Sequence, residues 1–353
     1  MEKVHQTISD TRAGLPVDWA LAARTAARLT APGPEATVAQ ARELVVRLRS
    51  DAAVAEGHVR HVTGLGAGLP LLPADVVDRP AWARAAVDGM ESLTSGAQLP
   101  PTPRLAHAVT SRTAGLQIGG VLGYLGARVL GQYDPFGGVD GGGRLLLVAP
   151  NVHAAHLALD VPSTDFGLWV CLHEATHRLQ FTAVPWLRDH FAAEVARLLS
   201  IQQPERGALA ERLPEALRAL RGSRGDALAL VELLQGPEQR EVLDRLLALS
   251  TLLEGHADHV MDAAGPEVVP SVVTIRNRFT VRRRGGGLID RVLRALLGVE
   301  AKVKQYAVGS AFTRHVVLAA GMDGFNAVWA GPENLPTRAE LEDPGAWLRR
   351  VHP

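Results

Sequence analysis

The chain has 353 residues, enough for one large domain or two ordinary ones, and its 47% hydrophobic and 21% charged content excludes a disordered polypeptide. Basic and acidic side chains balance at 37 each, so no net charge draws the protein to nucleic acid or to a membrane surface. A single cysteine, Cys171, excludes an internal disulfide and suits a reducing compartment.

The first residues, Met1-Glu-Lys-Val-His-Gln, lack the basic stretch and apolar core of a signal peptide, so a cytoplasmic location is expected. Helical periodicity then dominates. Val17 to Leu29 reads as a helix, and Ala36 to Ala55 follows with Val38, Ala41, Leu44, Val45 and Leu48 on one stripe. Asp75 to Met90 and Pro103 to Leu130 are also predicted helices. Ala114 to Gly131 is the most membrane-like stretch, but it carries Gln117 and Arg128. Its Gly115, Gly119 and Gly123 recur every four residues along one helix face, which predicts close helix packing in a soluble core rather than a membrane span.

The character changes at Gln132-Tyr133-Asp134-Pro135-Phe136. Glycines from Gly137 to Gly143 read as a turn, since no Gly-Lys-Ser/Thr follows to make a phosphate loop. Arg144 to Ala149 is a predicted buried strand, with His153 and His156 in a solvated loop after it. Ser163, Thr164 and Asp165 offer caps for a helix running to about Thr182. Further helices are predicted over Leu187–Ile201, Pro214–Arg221, Asp226–Leu234, Pro237–Ala264 and Leu288–Phe312, and Arg282-Arg283-Arg284 reads as a solvated loop. Without a long polar linker, the chain is expected to be one domain over 1–353. It comprises a helical part to about 130, a core over about 131–265 and a helical part over about 266–353. The fold class is therefore mainly α, with a small sheet beside the helix that carries the chemistry.

That helix holds His173-Glu174-Ala175-Thr176-His177. At i and i+4 the two imidazoles project from one face, so both reach a single metal ion, while Glu174 lies to the side where it can deprotonate a metal-bound water. Catalytic zinc takes three protein ligands and keeps one open position. No third histidine follows closely, so the missing ligand is sought in Leu252-Leu253-Glu254-Gly255-His256-Ala257-Asp258-His259. Glu254 is favoured, with Asp258 one turn on to accept from the far nitrogen of a ligand histidine. His256 is the rival ligand, because two residues from Glu254 it faces another way and the two do not bind together.

The chain resembles the zincin-like metallopeptidase type 2 family, actinobacterial proteins associated with biosynthesis of a deazaflavin coenzyme. The matching stretches include Val17-Asp18-Trp19, Gly131-Gln-Tyr-Asp-Pro-Phe136, Trp169 to Phe181, Pro185-Trp186-Leu187, Leu253-Glu-Gly-His-Ala257, and Lys304-Gln-Tyr306 with Phe312. The resemblance implies a largely helical zincin-like fold and a glutamate-type zinc site at His173, His177 and Glu254, with Glu174 as catalytic base. The expected chemistry is amide hydrolysis of a peptide or protein by a metal-activated water, and the rival is a zincin-like scaffold that hydrolyses nothing. Arg144 to Asn151 is the expected strand edge for aligning an extended peptide. Tyr306 is the first choice for stabilising the oxyanion, with Arg314, His259 and His153 as the other candidates.

Overall fold

A computed structural model describes residues 12–100, 103–138, 142–201, 236–284 and 299–352 of the chain. It is mainly helical with one small three-stranded sheet, the α+β class expected.

Strand β1 (Arg12–Ala13) precedes α1 (Trp19–Leu29), which starts where the Asp18 carboxylate accepts from the Leu21 amide at 2.9 Å. Helix α2 (Val38–Thr63) opens on a Thr37/Gln40 capping box and stops at Gly64 in the left-handed region. The expected helix over Asp75 to Met90 is instead β2 (Ala74–Val77) followed by α3 (Arg79–Thr94). Val76 and Val77 pair in parallel with Leu147 and Val148, and Asp78 with Pro80 starts the helix only after them.

After the short strand β3 (Gln98–Leu99), helix α4 (Arg104–Gly126) ends before the expected Leu130. Its repeating glycines press on α1: a Cβ at Gly115 would stand 2.6 Å from the Asp18 carbonyl oxygen, and one at Gly119 2.6 Å from Thr25. The four-residue repeat is thus a helix-packing surface. Among the described residues no helix is long and apolar enough to cross a membrane.

Strand β4 (Gly131–Asp134) and β5 (Arg144–Val148) complete a sheet of order β2-β5-β4, with β2 parallel and β4 antiparallel to β5. Leu145 to Val148 are fully buried, so hydrophobic burial places β5 at the centre. The segment after it is helix α5 (Ala149–Leu159), with Pro150 in its first turn, so His153 and His156 lie on a helix and not in a loop.

Helix α6 (Ser163–Ala183) runs through the core, with Phe166, Leu172, Ala175 and Leu179 buried among residues of α2 and the sheet. No side chain caps its start; Asp165 instead accepts from the Ser271 amide at 2.9 Å and hydroxyl at 2.7 Å, tying α6 to the residue just before the helix over Val272–Arg284. Then come α7 (Leu187–Ser200), α8 (Pro237–Val268), α9 (Val272–Arg284), α10 (Val299–Asn326), two 3-10 turns, α11 (Arg338–Glu342) and α12 (Pro344–Val351). The backbone of Arg282–Arg284 closes α9 rather than forming a loop. The helices expected over Pro214–Arg221 and Asp226–Leu234, and the start of the one expected from Leu288, lie outside the described residues.

Helices α8 and α10 touch backbone to backbone, since a Cβ on Gly255 would fall onto Gly309. That close crossing sits one residue from Glu254 and brings α10 to the mouth of the cleft described next.

Candidate metal centre

Buried apolar residues pack α6 into the core, so the polar face it turns to the cleft has a defined direction. That face presents His173 and His177, whose Nε2 atoms lie 3.1 Å apart. Helix α8 brings Glu254 across from them, with Oε2 at 3.6 Å from the His173 Nε2 and 3.8 Å from the His177 Nε2. Among the described residues, these three are the group of His, Cys, Asp and Glu side chains able to hold a metal ion, all donor atoms lying within 4.8 Å of one another. The point equidistant from the three atoms is about 2.0 Å from each, a zinc–nitrogen or zinc–oxygen bond length. Two imidazoles and one carboxylate at the wall of a cleft are a donor set that fits catalytic zinc.

Gln180 fixes the direction of one ligand. It is wholly buried, and its Nε2 donates to the Leu253 carbonyl at 2.9 Å. A carbonyl can only accept, so the other amide atom, Oε1, is the one that faces the His177 Nδ1 at 2.9 Å. His177 therefore carries its proton on Nδ1 and leaves the Nε2 lone pair on the side of His173 and Glu254. The same Gln180 Nε2 lies 3.0 Å from the His256 Nδ1, which accepts. His256, the rival ligand in the sequence, is turned away from the cleft: it is fully buried, and its ring stacks on Phe325 at 4.9 Å. Burial pushes its pKa down to about 3, which keeps it a neutral acceptor.

Asp258, expected behind a ligand histidine, is engaged elsewhere. Its Oδ1 accepts from the Arg276 Nη1 at 2.9 Å and its backbone carbonyl from the Arg276 Nη2 at 3.0 Å. The residue found behind His177 is Gln180. The signal for it in the sequence is modest: a glutamine three residues past His177, on the same helical face, within an otherwise apolar stretch.

Glu174 is buried at the wall of a cleft of about 920 Å³ that also exposes His173, His177 and Glu254. The start of β4 is pressed against it, for a Cβ on Gly131 would come within 2.7 Å of the Glu174 Cγ and 3.0 Å of its Oε1. Only glycine allows this approach. Leu130, Gly131, Gln132 and Tyr133 line the cleft along the edge of the sheet. The expected peptide-aligning strand over Arg144 to Asn151 is thereby corrected, because β5 is central and already paired on both sides. Of the oxyanion candidates, Arg314 lines the cleft. His153 pairs with His156 at 3.1 Å, and neither it nor His259 is among the lining residues. Tyr306 belongs to α10, but its side chain lies outside the described residues.

The crystal structure of a candidate hydrolase with a novel fold from Chloroflexus aurantiacus is 31% identical and superposes with a TM-score of 0.66, over 95% of this chain and 98% of that one. No curated protein matches the chain. The model of the zincin-like metallopeptidases matches residues 17–348, and the chain belongs to that family.

Proposed function

We propose that the protein is a zinc-dependent amide hydrolase of the glutamate-type metallopeptidases, with His173, His177 and Glu254 as ligands and Glu174 as general base. The observation that carries this reading is the convergence of two histidines of α6 and one glutamate of α8 within 4.8 Å, in the cleft that Glu174 also lines. Zinc bound there supplies Lewis acidity toward a water molecule and a substrate carbonyl. Glu174, held by its burial and by the Gly131 backbone, takes the proton of the attacking water and returns it to the leaving nitrogen. The edge strand β4 offers backbone donors and acceptors to an extended peptide lying across the cleft. Arg314, at the cleft wall, is the described side chain suited to the developing oxyanion.

The test joins metal content to a single substitution. Protein purified without a metal-affinity tag retains close to one zinc per chain, and Glu174→Gln keeps that zinc while losing roughly 10²- to 10⁴-fold of turnover on a substrate found by cleavage profiling. Undiminished turnover by Glu174→Gln overturns the base. Zinc below roughly one-tenth per chain overturns the metal centre. Full zinc without any Glu174-dependent cleavage marks a silent scaffold.

A further inference from the structure

A second cavity, of about 410 Å³, borders two of the candidate metal ligands, His177 and Glu254. His177, Glu254, Gln132 and Tyr133 line both it and the main cleft, so both spaces border the candidate ligands His177 and Glu254. The walls differ in chemistry. The main cleft carries Arg128, Arg276, Arg314 and Asp258. The second cavity is walled by Met90, Phe136, Phe181, Phe191, Leu246 and Leu247, from α3, β4's end, α6, α7 and α8.

Two facts make this lining more than leftover core. The chain has only seven phenylalanines and three tyrosines, yet three and one of them gather here. Their rings form a continuous series, Tyr133 to Phe181 at 6.0 Å, Phe181 to Phe191 at 6.4 Å and Phe191 to Phe136 at 6.1 Å. These side chains are only half-buried, so the fold keeps a run of aromatic surface in contact with solvent beside its reactive centre. Two polar atoms of the wall are already engaged: Asp134 Oδ1 accepts from the amides of Phe136 and Gly137, each at 3.0 Å, and Gln132 Oε1 accepts from the Trp82 indole at 2.9 Å. What this cavity chiefly offers a ligand is apolar area.

We infer that this cavity is the specificity pocket of the hydrolase and receives a large apolar or aromatic side chain, up to the size of an indole, from the residue next to the scissile amide. The inference rests on the hydrolase reading, and it adds to that reading the class of substrate. A peptide aligned along β4 would cross the metal position with its apolar residue toward α7 and α8. The rest of its chain would lie in the wider cleft with the arginines.

Small hydroxamates test it, because they anchor on zinc and can carry a group on either side. With the zinc-loaded protein, calorimetry should show hydroxamates bearing a benzyl group, on the carbonyl or the nitrogen side, binding at least about tenfold more tightly than acetohydroxamate, the low end for burying a phenyl group. Leu246→Arg, or Val195→Arg on the facing helix, should abolish that gain and leave acetohydroxamate affinity unchanged. Unaltered acetohydroxamate affinity also certifies that the variant is folded. Equal affinity for the benzyl compounds and acetohydroxamate would overturn the pocket alone. A gain that survives both substitutions would do the same. If even acetohydroxamate fails to bind, the hydrolase reading and the pocket fall together.

Discussion

The molecule contains two histidine pairs that look alike in isolation. His153 and His156 on α5 bring ring nitrogens to 3.1 Å, and His173 and His177 on α6 do the same at 3.1 Å. The pairs differ in what the rest of the fold brings to them. The α6 pair faces the carboxylate of Glu254, which adds a third donor and a negative charge. The α5 pair gains no such partner among the described residues, and His156 titrates below its usual value because of burial and then the nearby charges of His153 and Arg47. The first pair thus has three converging donors, one of them a carboxylate, and the second has no third donor among the described residues. Two histidines one turn apart are therefore only half of a metal centre; a second helix decides the rest.

The largest test of that contrast is deletion of one imidazole from each pair. His177→Ala should weaken zinc binding by more than about 100-fold in a chelator competition, since it removes a ligand outright, whereas His156→Ala should leave the affinity unchanged. Comparable losses from both substitutions would erase the distinction. A smaller effect sharpens it further: Gln180→Leu keeps all three donors but frees the His177 ring, so zinc affinity should fall about 10- to 100-fold. Cobalt substituted for zinc should then show an altered absorption spectrum. An unchanged spectrum and affinity would remove Gln180 from the site.

The mildest effect belongs to the α5 side, where Asp51 shares Arg47 with the histidine pair. Burial raises the Asp51 carboxyl to about 6, against the opposing pull of Arg47. The folded state thus favours its protonated form. The penalty for ionising it is fully present above about pH 6 and disappears as the pH falls toward the unfolded value near 3.8. Asp51→Asn should accordingly raise the Tm at pH 7.5 and leave it nearly unchanged at pH 4. An equal shift at both pH values would show that burial of the charge is not the cause.

Much of the centre is legible in the string of residues. The His173–His177 spacing reports one helical face, and the Glu254 position follows from the need for a third donor on a second helix. Other parts are hidden for identifiable reasons. Gly131 to Asp134 is too short and too polar to announce a strand, and β4 exists because Leu145 to Leu147 of β5 offer it a ladder. Val76 and Val77 sit in what reads as a helical stretch until β5 pairs with them. Asp258 has the right spacing to serve a histidine, but Arg276, eighteen positions away in sequence, reaches its carboxylate first.

By itself, then, the sequence determined the helical class, the two histidines that share one face of α6 and the glutamate set beside them, because each depends on spacing within one helix. Tertiary structure decided which of Glu254 and His256 faces the pair, that Gln180 rather than Asp258 stands behind His177, and that the sheet's edge at the cleft is β4. It also gathered scarce aromatic residues from three separate segments into one pocket. Each of these outcomes turns on how two elements distant in the chain rotate and pack against each other, and local periodicity carries no record of that.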